Sequence, residues 1–307
     1  MRRTALAAVA VVLALGATGC LPAAPPPPPP VAPTAIVRGL PVSVHQYVFT
    51  DTSRGIPALD GYPGSPDRPI PVTVWYPSDR SQGPYPLVMF AHGFAVDPGF
   101  YSQLLSRIAS AGYVVAAPTF PILSGWPAGP SDQVGWNDLF GDLHFATSSV
   151  LSASATGDPF IGGLVDGNRI AVAGHSDGAL LAFGDGFEAF RNDPRVRAVI
   201  SYAALLSEPG AVYQPNGRAF LHFASDNDEY NDFGTTVAWD HANLAAPSWT
   251  VGLWNASHAP PYTDPGDPHF DLVVRTTVDF LDVQLKGASP DWFTLDVYLA
   301  PTLAAFV

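Results

Sequence analysis

Apolar residues along the chain come in two rhythms, and the two alternate. Short continuous runs rich in β-branched and aromatic residues occur at 72–76 (Val-Thr-Val-Trp-Tyr), 87–90 (Leu-Val-Met-Phe), 113–117, 169–173, 197–202, 219–223 and 249–253. Bounded by Gly, Pro and polar residues, such runs predict strands buried on both faces. Between them, Tyr101, Leu104, Leu105 and Ile108 recur at helical spacing, and a second helix is predicted over about 136–153. The last predicted helix has marked ends: Asp267 as cap, Pro268 in the first turn and Gly287 as the stop. Its inner face carries Phe270, Val273, Val274, Leu281 and Leu285. Strands alternating with helices predict an α/β fold, with a mainly parallel central sheet and helices on both faces. A loop rich in Pro, Gly and Trp runs to about residue 134, and the apolar tail 288–307 is expected to pack back on the domain.

The first 36 residues follow neither rhythm. Met1-Arg2-Arg3 is a short positive start, residues 5–17 are almost wholly apolar, and Ala17-Thr18-Gly19-Cys20 follows. This reads as a signal peptide over 1–19, the apolar run being shorter than the roughly 20 residues a spanning helix needs. The ending resembles a bacterial lipoprotein signal, which implies that Cys20 becomes the lipidated first residue. Residues 20–36 include six successive prolines, Pro25 to Pro30. They predict a polyproline tether long enough to hold a domain ~40 Å from its anchor. The folded domain is then 37–307. The expected location is the cell envelope, with membrane contact only through Cys20, or the medium.

Composition narrows the classes of function. Apolar residues make up 47% of the 307 and charged residues 13%, which fits a globular domain with a sizeable core. A net charge of −13 argues against nucleic-acid binding, which needs basic patches to neutralise phosphates. The single lysine, Lys286, argues against polybasic docking on a membrane. With one cysteine, neither an intrachain disulfide nor a cysteine metal cluster can form.

The candidate chemistry lies at Gly174-His175-Ser176-Asp177-Gly178. This is G-x-S-x-G between a predicted strand and a predicted helix, the context in which the motif presents a nucleophilic serine on a sharp turn. The N–H of Asp177 is placed to stabilise an oxyanion. Serine needs a base and an orienting acid, which in this arrangement follow in the order acid, then histidine. Asp226-Asn227-Asp228-Glu229 follows the 219–223 strand, and Asn255-Ala256-Ser257-His258 follows the 249–253 strand. His258 is the expected base. His269, in the first turn of the last helix, is its rival, and His222, inside a strand, reads as a satisfied core residue. Asp228 is the expected acid and Asp226 its alternative, Glu229 and Asp232 reading as solvated loop carboxylates. The second oxyanion donor is expected from His92-Gly93-Phe94, through the N–H of Phe94, with His92 bracing the loop. Trp126 and Trp136 are candidates for the substrate pocket or for plain packing.

The stretch from Pro86 through His92-Gly93-Phe94, the segment Tyr101-Ser102-Gln103-Leu104-Leu105 and the run Ile108 to Pro118, with Gly174-His175-Ser176-Asp177-Gly178, resemble a known group. This is the chlorophyllase, dienelactone-hydrolase and polyester-hydrolase (cutinase-like) group of α/β-hydrolases, in its serine branch, over roughly residues 68–286. The resemblance implies a serine esterase acting on small-molecule or lipid-like esters; with the leader it is expected to be exported, and it is expected to need no metal or organic cofactor and to be a monomer. It also favours Asp228, since the family's acid stands two residues farther from the strand end than Asp226. Where polyester hydrolases often carry methionine after the serine and tryptophan after the next strand, this chain has Asp177 and Tyr202-Ala203-Ala204. A lipase or phospholipid acyl hydrolase is the nearest alternative activity, and an inactive hydrolase fold used for surface binding is the alternative of another class.

Overall fold

A strand apolar at every position needs cover on both faces, and the fold supplies it. The computed structural model describes residues 38–59, 61–125, 135–208, 210–290, 296–298 and 300–307. In chain order the elements are β1 (Val42–Asp51), β2 (Arg68–Pro77), β3 (Tyr85–Ala91), α1 (Ser102–Ser110), β4 (Val114–Pro118), α2 (Trp136–Ala155), β5 (Val165–His175), α3 (Asp177–Phe187), β6 (Val196–Tyr202), β7 (Ala219–Ser225), α4 (Phe233–Asn243), β8 (Ser248–Leu253), α5 (Pro260–Thr263), α6 (Phe270–Lys286) and β9 (Ala304–Phe306). The strands form one nine-stranded sheet in the order β1-β2-β4-β3-β5-β6-β7-β8-β9. From β4 to β8 neighbours run parallel, whereas β1, β2 and β9 join antiparallel. The expected mainly parallel α/β sheet is the one observed.

Alternation along the strands divides the core into two layers. Val88, Phe90, Val115, Ala117, Ala171 and Ala173 face α1 and α6. Leu87, Met89, Val114, Ala116, Ile170 and Val172 face α2 and α3. Every residue of β3, β4 and β7 is buried, as the unbroken apolar runs require.

Two features depart from the sequence reading. The edge strand β1 was not anticipated, because its outer face is solvated and residues such as Val44 and Val48 stand exposed. Helix α6 begins at Phe270, three residues after Asp267, whose carboxylate accepts the His269 N–H instead of capping the helix. The expected stop holds, with Gly287 at φ 68°, and so does the burial of the five inner-face residues. The tail does return to the domain, where β9 pairs with β8.

Candidate active site

Between the last residue of β5, His175, and the first of α3, Asp177, stands Ser176 alone. The chain must reverse there within one residue, and Ser176 sits at φ 57°, ψ −125°. A non-glycine in such a conformation costs on the order of 1–3 kcal/mol and persists only where its surroundings hold it. Here the Ser176 N–H donates to the Tyr202 carbonyl at 3.0 Å, and its own carbonyl accepts the Ala179 N–H at 2.8 Å. The flanking glycines have a steric reason. A Cβ on Gly174 would lie 2.0 Å from the Gly178 carbonyl oxygen, and one on Gly178 would lie 2.1 Å from that of Ala91. The described non-glycine residues with positive φ are Ala95, Ile122, Ser176, Ala203 and Asn255. Each follows the C-terminal end of a strand, the edge where open α/β sheets place their sites.

The loops after β7 and β8 bring Asp228 and His258 together. His258 Nδ1 and Asp228 Oδ2 are 2.8 Å apart, and the Asp228 side chain is almost fully buried. Asp228 Oδ1 accepts the N–H groups of Tyr230 and Asn231 at 2.8 and 2.9 Å. Burial pushes the Asp228 carboxyl up, but the hydrogen bonds from the His258 ring and these N–H groups outweigh it and hold it below the ordinary carboxylate value. Asp226 faces elsewhere: its Oδ1 accepts the Ala256 N–H at 3.2 Å. The other two carboxylates are more than solvated loop groups, a correction to the sequence reading. Glu229 Oε2 accepts the His258 N–H at 2.9 Å, and Asp232 caps α4 through the Thr235 N–H.

A buried relay missed by sequence reasoning ties the loops together. His175 Nε2 lies 2.8 Å from the His258 carbonyl, which can only accept, so this nitrogen carries the proton. His175 Nδ1 therefore accepts from the Tyr101 hydroxyl at 2.9 Å, whose oxygen takes the Gly93 N–H at 3.2 Å. Burial and the neighbouring His258 push His175 down to about 3, keeping the ring neutral in this role. His92 occupies the bracing position expected of it. Its Nε2 accepts the Phe120 N–H, its Nδ1 bonds the Gly93 carbonyl, and burial pushes it down to about 4. Gly93 N–H and Ala95 N–H are thus consumed, by Tyr101 and by the Leu123 carbonyl. Asp177, first residue of α3, has an N–H with no acceptor within its own helix.

Ser176, His258, Phe94 and Asp177 line one open cleft of about 650 Å³, together with Tyr230 and Phe100. Trp136 lies outside it, packed beside the core layer under α2, and Trp126 falls outside the described residues. His269 is held at the start of α6 by Asp267 and the Trp254 carbonyl. His222 is fully buried, as expected of a core residue, and bonds Asp240 through Nδ1 at 2.7 Å, but its Nε2 has no partner among the described residues, so it is not the fully satisfied group expected.

The strand–serine–helix elbow, the His–Asp pair and the open cleft gather at the C-terminal edge of the sheet, and comparison with known proteins supports the α/β-hydrolase fold that places them there. The chain belongs to the chlorophyllase and polyester-hydrolase-like group of α/β-hydrolases, a class of carboxylic ester hydrolases. The chlorophyllase family matches residues 57–207. A bis(hydroxyethyl) terephthalate hydrolase of Streptomyces coelicolor is 30% identical over 266 residues, covering 84% of this chain and 75% of that protein. Chlorophyllase-1 of Arabidopsis thaliana is 32% identical over 119 residues, 39% of this chain. Chlorophyllase-2 of the same plant is 30% identical over 126 residues, 41% of this chain. The matched stretches span only 33% and 36% of the two chlorophyllases.

Proposed function

We propose that this chain is an exported serine esterase that hydrolyses small carboxylic esters through an acyl-enzyme. The observation carrying the reading is the buried Asp228–His258 hydrogen bond of 2.8 Å opening on the same cleft as the strained Ser176. Ser176 Oγ attacks the ester carbonyl carbon as His258 Nε2 takes its proton. Asp228 fixes the ring through Nδ1–H and stabilises the imidazolium. The N–H groups of Phe94 and Asp177 hold the oxyanion. Collapse breaks the ester C–O bond, and the alcohol leaves with the proton from His258. Water then attacks the acyl-Ser176 by the same base, releasing the acid. No step calls for a metal or organic cofactor.

The relative's terephthalate ester and the aromatic rings of Phe94, Phe100 and Tyr230 around the cleft favour small aryl or short-acyl esters. Turnover of neutral p-nitrophenyl esters from two to twelve acyl carbons tests this. Turnover is expected to peak at short chains and to fall by at least about 10³-fold in Ser176→Ala. A peak at the longest chains would favour the lipase alternative, and full activity in Ser176→Ala would refute the mechanism. The proposal of export through a lipid anchor rests on Cys20 following the apolar leader. Cys20→Ser is expected to move the protein from membrane to soluble fractions, and wild type already free in the medium would refute the anchor.

A further inference from the structure

Asp177 has a side chain that the proposed chemistry does not use. It stands one residue after Ser176, lines the same cleft and is half-buried. Burial pushes its carboxyl up, and only the charge of the His258 ring opposes that. Among the described residues no hydrogen bond or ion pair to this carboxylate is found. The other carboxylate lining the cleft, Glu229, is occupied by the His258 N–H. No lysine or arginine is among the cleft's described residues.

This placement works against the hydrolysis of a neutral ester. An anion beside a developing oxyanion raises its energy, because both charges are negative and the cleft is partly shielded from water. A group on the substrate that is itself positive removes the conflict. Three rings line the same cleft and are exposed enough to meet such a group: Phe94 at 43%, Phe100 at 47% and Tyr230 at 80%. Aromatic faces attract cations, alkylated ammonium groups above all.

We infer that Asp177 selects substrates of this cleft by charge, so that esters bearing an ammonium group are preferred and esters bearing an anionic group are rejected. The inference rests on the esterase reading above and deepens it. A carboxylate at the first position of α3 also suits the helix dipole, so a purely structural Asp177 is the competing account. It predicts no discrimination between charged and neutral substrates.

The test uses three butyrate esters of similar length: choline butyrate, its neutral carbon isostere 3,3-dimethylbutyl butyrate, and 3-sulfopropyl butyrate. The readout is the ratio of kcat/KM values within each protein, which cancels any loss that Asp177→Asn causes to all substrates alike. Wild-type full chain at low salt is expected to prefer the cation over its isostere by about tenfold and to disfavour the sulfonate similarly. The preference should shrink severalfold at about 0.5 M salt and approach unity in Asp177→Asn. Wild type turning over the neutral ester without preferring the cation would overturn the inference while leaving the esterase reading intact. So would a preference unchanged in Asp177→Asn. If that variant is inactive, the salt dependence in wild type decides, and a ratio indifferent to salt overturns the inference. Turnover of none of the three by wild type would overturn the esterase reading and the inference together.

Discussion

Adding one methyl group at Gly178 should disable the site without touching a reacting atom. The new Cβ would lie 2.1 Å from the Ala91 carbonyl oxygen, 2.5 Å from the Ala91 carbonyl carbon and 2.6 Å from the His92 carbonyl oxygen. All three are backbone atoms, so no side-chain rotation relieves the clash, and the end of β3 must part from the start of α3 by about 1 Å. The end of β3 leads into Gly93 and Phe94, and the start of α3 carries Ser176 and Asp177. The shift therefore opens the gap between the proposed nucleophile and one proposed oxyanion donor. A displacement of about 1 Å at a reacting centre costs on the order of 100-fold in rate, and overpacking a core contact costs about 1–3 kcal/mol in stability. Gly178→Ala is accordingly expected to lose at least about 100-fold in kcat/KM on a chromogenic ester and to lower the urea midpoint. Gly234→Ala is the control. Its Cβ would meet only Asp232 Oδ1, at an ordinary 3.6 Å, and it lies inside α4. It should leave activity alone and stabilise by up to about 1 kcal/mol. Gly178→Ala within threefold of wild-type activity, at an unchanged urea midpoint, would refute the reasoning.

Asp228→Asn should cost on the order of 10⁴-fold in kcat, whereas Asp226→Asn, which keeps an oxygen for the Ala256 N–H, should cost less than about tenfold. Comparable losses in the two variants would reassign the acid. Stability should fall on mild acidification because His92 and His175 are buried neutral. Unfolded, their rings take up protons below about 6.5; folded, they resist until about 4 and about 3. The unfolded chain thus binds more protons through that window, so the pair's contribution is complete above 6.5 and is lost as pH drops toward 4, at up to about 2.7 kcal/mol per pH unit. Urea unfolding at several pH values measures the slope, which His92→Gln should roughly halve; an unaltered slope would contradict the burial argument.

What the sequence disclosed and what it hid follow from the range of the interactions involved. Strands β3 to β8 were legible because each carries a short apolar stretch buried on both faces, while the first four residues of β5, none of them buried, lie outside the stretch the sequence marked. The Ser176 elbow was legible because its glycines are dictated by contacts within a few residues of the motif and at the adjoining strand. Strand β1, half solvated, and β9, three residues long, carry too few buried positions to stand out. The start of α6 was misplaced because Asp267 offers the local signature of a cap but spends its carboxylate on His269. The relay through Tyr101 and His175 joins residues 74 apart in sequence, and Glu229 reaches His258 across 29. Neither has a local pattern, and only the sheet that gathers the loops after β3, β5, β7 and β8 on one edge creates them.

The central claim is that Ser176 is the nucleophile, and covalent labelling tests it most directly. The full chain is treated with a fluorophosphonate, its intact mass is measured, and the modified peptide is mapped. A single adduct on Ser176 is predicted, formed at a rate that drops sharply in Asp228→Asn and absent in folded Ser176→Ala. An adduct on another residue, or labelling that persists in folded Ser176→Ala, would contradict it.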